Sequence, residues 1–249
     1  MTTSADDQEE GLAEGTLMSH LVELRNRLFV MFGSVFVVFL VLFPFSKPIF
    51  EFVSEPLRTV LPGGQLIATG TASPVIATLK LSFYLALMLA MPIVLYQVWA
   101  FVAPGLYKKE KHFAFPLLAS SILLFYVGLA FAYFVVFPLI FKFVVAFTPE
   151  SVSYMPDITD YIGFIMMLVL VFGLAFETPV ATVLLVWTGI TSVEKLGTAR
   201  PYVFLGAFVV GMLLTPPDVI SQIMLAIPVY LLYELGIIMA KLFKSRPVK

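Results

Sequence analysis

Six apolar runs, separated by short polar stretches, make up most of this chain. They cover Leu28 to Phe45, residues 75–101, residues 113–147, Tyr161 to Trp187, Tyr202 to Leu214 and Val219 to Ala240. A helix rises ~1.5 Å per residue, so about 20 residues cross a hydrocarbon layer of ~30 Å. The first four runs meet that length. The fifth has 13 residues and reaches roughly 20 Å. The "TPPD" stretch at 215–218 forces a turn after it, because Pro216 and Pro217 cannot continue a helix. Runs five and six are therefore expected to form a short helical hairpin closed by Pro216, Pro217 and Asp218. The pattern predicts an all-α polytopic membrane protein with six spans, the last two short.

Between the runs, residues 46–74 form a long connection and 148–160 a shorter one. Within the first, "PIFEFVSEPL" reads as an amphipathic helix lying on the membrane surface. Pro92, Pro116, Pro138, Pro179 and Pro228 interrupt apolar runs, which predicts kinked spans and a curved bundle. No internal repeat is visible, and the two halves differ in span and loop length, against an inverted-repeat transporter.

Composition agrees with the pattern. Of 249 residues, 60% are hydrophobic and 12% charged, with a mean hydropathy of +1.00. One water-soluble core cannot hide that much apolar surface. The absence of cysteine excludes disulfides and thiolate metal sites. The first 16 residues hold Asp6, Asp7, Glu9, Glu10 and Glu14 and no base, unlike a cleaved secretory leader. Three regions are expected: a disordered acidic tail at 1–16, a six-helix transmembrane domain at 17–243 and a basic tail at 244–249.

Charge placement sets the orientation. Lys and Arg cluster at cytoplasmic span ends. The side holding both termini carries eleven of these residues and the other side four, namely Lys47, Arg58, Lys80 and Lys142. Both termini are expected in the cytoplasm. Trp99 and Trp187 close runs two and four on that face, where interfacial aromatics belong.

Few residues offer chemistry. Glu177 stands ten residues before Trp187, about 15 Å below the interface. A charged carboxylate at that depth costs ~2.5–3.5 kcal/mol. It reads as a partner contact, a proton site or part of a wet cavity, or as a protonated acid bonded to a carbonyl freed by Pro179. Glu110 lies alone among Lys108, Lys109, Lys111 and His112, where charge balancing on a solvated loop suffices. Glu23 is open to the same reading as an i, i+4 partner of Arg27. Glu194 reads as part of a helix cap. Ser221, Gln222 and Glu234 put polar atoms into run six, for a neighbouring helix or for self-satisfaction. No HExxH, GxSxG or phosphate-cradling glycine loop occurs, and His20 and His112 are the only histidines. No enzyme activity, cofactor or metal is expected.

The stretches "HLVELRNRL", "ASPV", "YQVWAFVAPGLYKKEK", "FAYFVVFPL", "FGLAFETPVA" and "RPYVFLGAFVVGMLLTPPD" together resemble the TatC family, the receptor subunits of the twin-arginine protein translocase. The likeness runs over nearly all of 16–243. It implies a cupped six-helix bundle in the bacterial inner membrane with both termini cytoplasmic. It implies a receptor for twin-arginine signal peptides of folded preproteins, nucleating a translocation site driven by the proton-motive force. Glu23 and Glu110 match the family's acidic contacts for the arginine pair, with Arg25, Phe101 and Lys108 beside them. Glu177 matches the intramembrane glutamate. Met212, Leu213 and Gln222 match the contact for the single-span partners TatB and TatA. Homo-oligomers within the complex are implied, and no nucleic acid.

Two other functions fit the bare residues. A proton-coupled secondary transporter would use Glu177 as its proton site. A structural scaffold would use the charges as topology signals alone.

Overall fold

The computed structural model describes the backbone of residues 5–60, 66–102, 111–149, 151, 155–214 and 219–244, without side chains at 5–17, 20, 56–60, 102, 111–114, 214, 220–221 and 243–244. Among these residues the chain is helical, with one isolated parallel bridge between Ile67 and Asp157.

Helix α1, Ala5–Leu42, passes through a tight 3-10 turn at Phe43–Phe45 into α2, Ser46–Val60. The helix thus begins inside the acidic stretch expected to be disordered. Ala, Glu, Gln and Leu there favour helix, and carboxylates at a helix start complement its dipole. The α2 segment is the expected amphipathic helix.

The second run is α3, Ser73–Val102. The third is α4, Lys111–Phe131, then a π-helical segment, Ala132–Val136, then α5, Phe137–Phe147. The fourth is α6, Ile158–Ala175, and α7, Thr178–Trp187. A short α8, Val193–Thr198, leads into α9, Arg200–Leu214, and α10, Val219–Lys244, ends the described chain. Among the described residues, five stretches are long and apolar enough to cross a membrane: 21–55, 73–101, 115–147, 158–187 and 222–242. With α9 they are the six expected spans. Helix α9 is short as expected, 15 residues, or about 22 Å. The sixth departs from the expectation of a short helix: α10 has 26 residues. Its helix continues through Glu234, whose charge is met by Arg200.

The five prolines do not act alike. Pro92, Pro116 and Pro228 lie inside continuous helices. Pro179 stands in the first turn of α7, where a missing N–H costs nothing, and Pro138 follows directly on the π-helical segment at the start of α5. The break before α7 splits the fourth span in two.

Helix α6 is the centre of the bundle, with α3 and α4 packed against it. Ser121, Phe125, Gly128 and Ala132, at steps of four, three and four, are all buried. At Gly128 a Cβ would come 2.6 Å from Phe172 O and 2.9 Å from Gly173 Cα, so only glycine permits this approach of α4 to α6. Gly236 does the same for α10 on α7, where a Cβ would lie 3.0 Å from Pro179 Cα. By contrast α1 packs chiefly on α3 through Val35, Ala86 and Ala90. Only 6% of the apolar window of its span is buried, against 39% for the spans of α3 and α6.

The end of the bundle away from the termini is tied by polar bonds. Ile158 N donates to Ile67 O at 2.8 Å, and Ile67 N donates to Pro156 O at 3.1 Å. Asp157 caps α6 by accepting from Thr159 N at 2.8 Å, and also accepts from Thr69 N at 2.8 Å and Thr69 Oγ1 at 2.6 Å. The hydrogen bonds from Thr69, side chain first, hold the Asp157 carboxyl well below the usual carboxylate range. Tyr133, in the π segment, donates to Phe52 O at 2.9 Å and stacks on the Phe52 ring, docking α2.

Candidate functional site

The middle of α1, at Glu23 and Arg27, meets the last turns of α3. The i, i+4 spacing of Glu23 and Arg27 puts them on one face of α1. Arg27 Nε and Nη2 both donate to Glu23 Oε1, at 3.0 and 2.6 Å. The same guanidinium reaches across to α3, where Nη1 donates to Gln97 Oε1 at 3.1 Å and Nη2 to Ala100 O at 3.1 Å. The carbonyls of a helix's last turn lack intrahelical partners and carry its negative dipole end, so a cation there is favoured. An open recess of about 420 Å³ lies beside this cluster, lined in part by Ser19, Glu23, Asn26, Arg27 and Gln97. Arg25 is exposed, donating to Asn26 Oδ1 at 3.2 Å. Phe101 is half-buried next to Ala100. The structure therefore brings Glu23, Arg25 and Phe101 to one end of the bundle. Lys108 and Glu110 lie outside the described residues.

A second polar cluster sits deeper. Trp99, two residues beyond Gln97, points to α4 instead of α1, and its Nε1 donates to Ser121 Oγ at 3.5 Å. Ser121 Oγ in turn donates to Glu177 Oε2. Glu177 occupies the break between α6 and α7. There Pro179 cannot donate to the carbonyl four residues back, and the chain resumes with Ala181 N donating to Glu177 O at 2.9 Å. Glu177 Oε1 is buried and has no hydrogen-bond partner among the described residues. Such an atom, in apolar surroundings, costs free energy until a donor reaches it.

The α9–α10 pair presents the third candidate region. Met212 and Leu213 are 55% and 76% exposed. Gln222 is half-buried, with its backbone close against Gly211. Pro216, Pro217 and Asp218, and the side chain of Ser221, lie outside the described residues. At the other end of this pair, Arg200 Nε and Nη2 donate to Glu234 Oε1 and Oε2 at 2.6 and 2.9 Å, and Tyr230 donates to Oε1 at 3.0 Å.

Residue patterns did not single out Gln97, Ser121, Thr69 or the pairing of Arg200 with Glu234. A signal existed for two of them: Gln97 and Ser121 are polar positions inside otherwise apolar runs. Among the described residues no group of three or more His, Cys, Asp or Glu could hold a metal.

Residues 19–228 match the family model described as Sec-independent protein translocase protein (TatC). The TatC protein of Azotobacter chroococcum mcd 1 is 54% identical over 231 residues, covering 92% of this chain and 91% of that one. The TatC protein of Escherichia coli K12 is also 54% identical, over 92% of this chain and 90% of its own. A crystal structure of the twin arginine translocase receptor TatC superimposes with a TM-score of 0.84 at 38% identity, covering 91% of this chain and all of that one.

Proposed function

Since this chain belongs to the TatC family of Sec-independent protein translocase proteins, we propose that it is the subunit that receives twin-arginine signal peptides of folded preproteins. The multi-pass domain at 17–243 is the working unit, in the bacterial inner membrane with both termini cytoplasmic, an orientation supported by the eleven-to-four bias of Lys and Arg. Glu23 and Glu110 each take one arginine of the incoming pair. Arg25, Phe101 and Lys108 flank them.

The observation that carries this reading is the guanidinium already held at Glu23. Its Nε and Nη2 converge on one carboxylate oxygen, while Gln97 accepts from Nη1 and the Ala100 carbonyl from Nη2. Arginine donates in a fixed planar fork, and an ammonium cannot reproduce that set. A recess that accepts one arginine in this way has the chemistry to distinguish Arg-Arg from Lys-Lys.

Glu177, with a buried oxygen that has no partner among the described residues, is the contact for a polar group on a partner inside the membrane. The exposed Met212 and Leu213, with Gln222 and the turn at Pro216, Pro217 and Asp218, receive a single-span TatB or TatA subunit. Copies of the chain associate within the complex. The proton-motive force drives transport, and nucleic acid plays no part. A solute transporter using Glu177 as its proton site has only that buried oxygen behind it.

The test is crosslinking of Arg-Arg and Lys-Lys signal peptides to membranes carrying the unmutated chain, Glu23→Ala, Glu110→Ala or Glu177→Ala. Either Glu23→Ala or Glu110→Ala is expected to weaken Arg-Arg binding by about 1–3 kcal/mol, the value of a lost charged hydrogen bond. Equal capture of both peptides by the unmutated chain rejects the receptor reading.

A further inference from the structure

We infer that Arg27 is a resident stand-in for a signal-peptide arginine: it fills a three-acceptor guanidinium cradle made by Glu23, Gln97 and the Ala100 carbonyl, and the incoming arginine takes its place. This rests on the receptor reading above and adds to it two acceptors on α3 and a competitor on α1.

The geometry has three parts. First, the cradle is shaped for a guanidinium, because four N–H donations from one side chain, all between 2.6 and 3.1 Å, are satisfied by acceptors on two helices. Second, the occupant is joined covalently to α1 and held on α3 by hydrogen bonds alone, so it can leave without unfolding either helix. Arg27 is 21% and Glu23 36% exposed at the side chain, so both touch the open recess through which another arginine arrives. Third, exchange conserves charge and hydrogen bonds: one guanidinium replaces another on the same acceptors, and the released Arg27 turns toward water in the recess. A lysine arriving there would displace a fork with a point donor and leave acceptors unmet, so the resident arginine raises the threshold for wrong cations.

The alternative role for Arg27 is a clamp holding α1 to α3 and presenting Glu23. The two roles predict opposite signs. A site filled by its own side chain nine times in ten binds a competitor about tenfold more weakly than the empty site. Removing the stand-in therefore tightens peptide binding, whereas removing a clamp loosens it.

The experiment uses the full chain in lipid nanodiscs and a fluorescent Arg-Arg signal peptide, with a Lys-Lys peptide alongside. Arg27→Gln is expected to lower the dissociation constant for Arg-Arg about tenfold and to narrow the preference over Lys-Lys. Arg27→Lys, which keeps the charge and the stem and loses the fork, should give a smaller gain in the same direction. Gln97→Leu added to Arg27→Gln should reverse most of the gain, because the vacated cradle then lacks an acceptor. Arg27→Gln or Arg27→Lys that folds, by its thermal unfolding profile, and binds Arg-Arg no better than the unmutated chain overturns the inference. Should Arg27→Gln fail to fold, Arg27→Lys decides alone. If the unmutated chain itself does not prefer Arg-Arg, it is the receptor reading that fails, and the two failures are told apart by that one control.

Discussion

Glu177 and Glu234 both enter the apolar body of the bundle, and their surroundings are opposite. Glu234 meets Arg200 with both oxygens and Tyr230 with one. Glu177 meets one serine hydroxyl with one oxygen, and its second oxygen is buried without a partner among the described residues. A carboxylate with its acceptors filled ties helices together; here it joins the first turn of α9 to α10. A carboxylate left half-satisfied at a helix break gains free energy from whatever donor arrives, and so marks a place for an incoming group. The difference separates a filled clamp from a half-satisfied carboxylate within one membrane domain.

Substitutions at these two carboxylates and at the serine bonded to one of them test the comparison. The largest change in stability should come from Ser121→Val. It strips Glu177 of its described donor and Trp99 of its acceptor, and is expected to cost about 1–3 kcal/mol in reversible unfolding in detergent. Glu234→Leu should lower the melting temperature by less. It strands Arg200, but that guanidinium is 43% exposed and water can replace part of the lost pairing. Glu177→Leu should leave the melting temperature unchanged or raise it, since it removes an unsatisfied buried atom, while crosslinking to a partner helix in the membrane is lost. If Glu177→Leu proves as damaging to stability as Ser121→Val, Glu177 is a clamp after all and the contrast is gone.

The smallest effect concerns the far end of the bundle. The folded Asp157 carboxyl titrates below its unfolded value of about 4, so its contribution is present above that value and lost as pH falls through the folded one. The melting temperature should be insensitive to Asp157 between pH 8 and 5. It should then fall below about pH 4, with a shallower fall in Asp157→Asn.

How much of this could be read beforehand depends on distance along the chain. The six apolar runs, the amphipathic α2 and the Glu23–Arg27 pair are local patterns, and the sequence displays them directly. The break at Pro179 is local too, although Pro92 and Pro228 show that a proline in an apolar run need not end the helix. The bonds that build the sites join residues far apart: 34 positions between Arg200 and Glu234, 56 between Ser121 and Glu177, 70 between Arg27 and Gln97, 88 between Thr69 and Asp157. Helices such as α3, α4 and α6 are apolar nearly all round, because lipid and protein neighbours are equally oily. Periodicity then cannot say which flank meets which helix. The residue pattern raised Glu23 and Glu177 as candidates and the family resemblance implied roles for them, but neither pointed to Gln97 or Ser121 as their neighbours.

The widened turn at Ala132–Val136 has a consequence for how this span tolerates change. In it Phe137 N donates five residues back, to Ala132 O, so the coil accommodates one residue more than an ordinary helix of the same rise. Deleting a single residue there would let the coil revert to regular winding with both flanks near their present azimuth, whereas in a regular helix the same deletion turns one side by about 100° relative to the other. Tyr133, inside the segment, is the contact such a deletion disturbs, through its bond to Phe52 O on α2. The third span thus has one residue of slack at this point, and the two halves keep the faces they turn to their neighbours whether or not it is present.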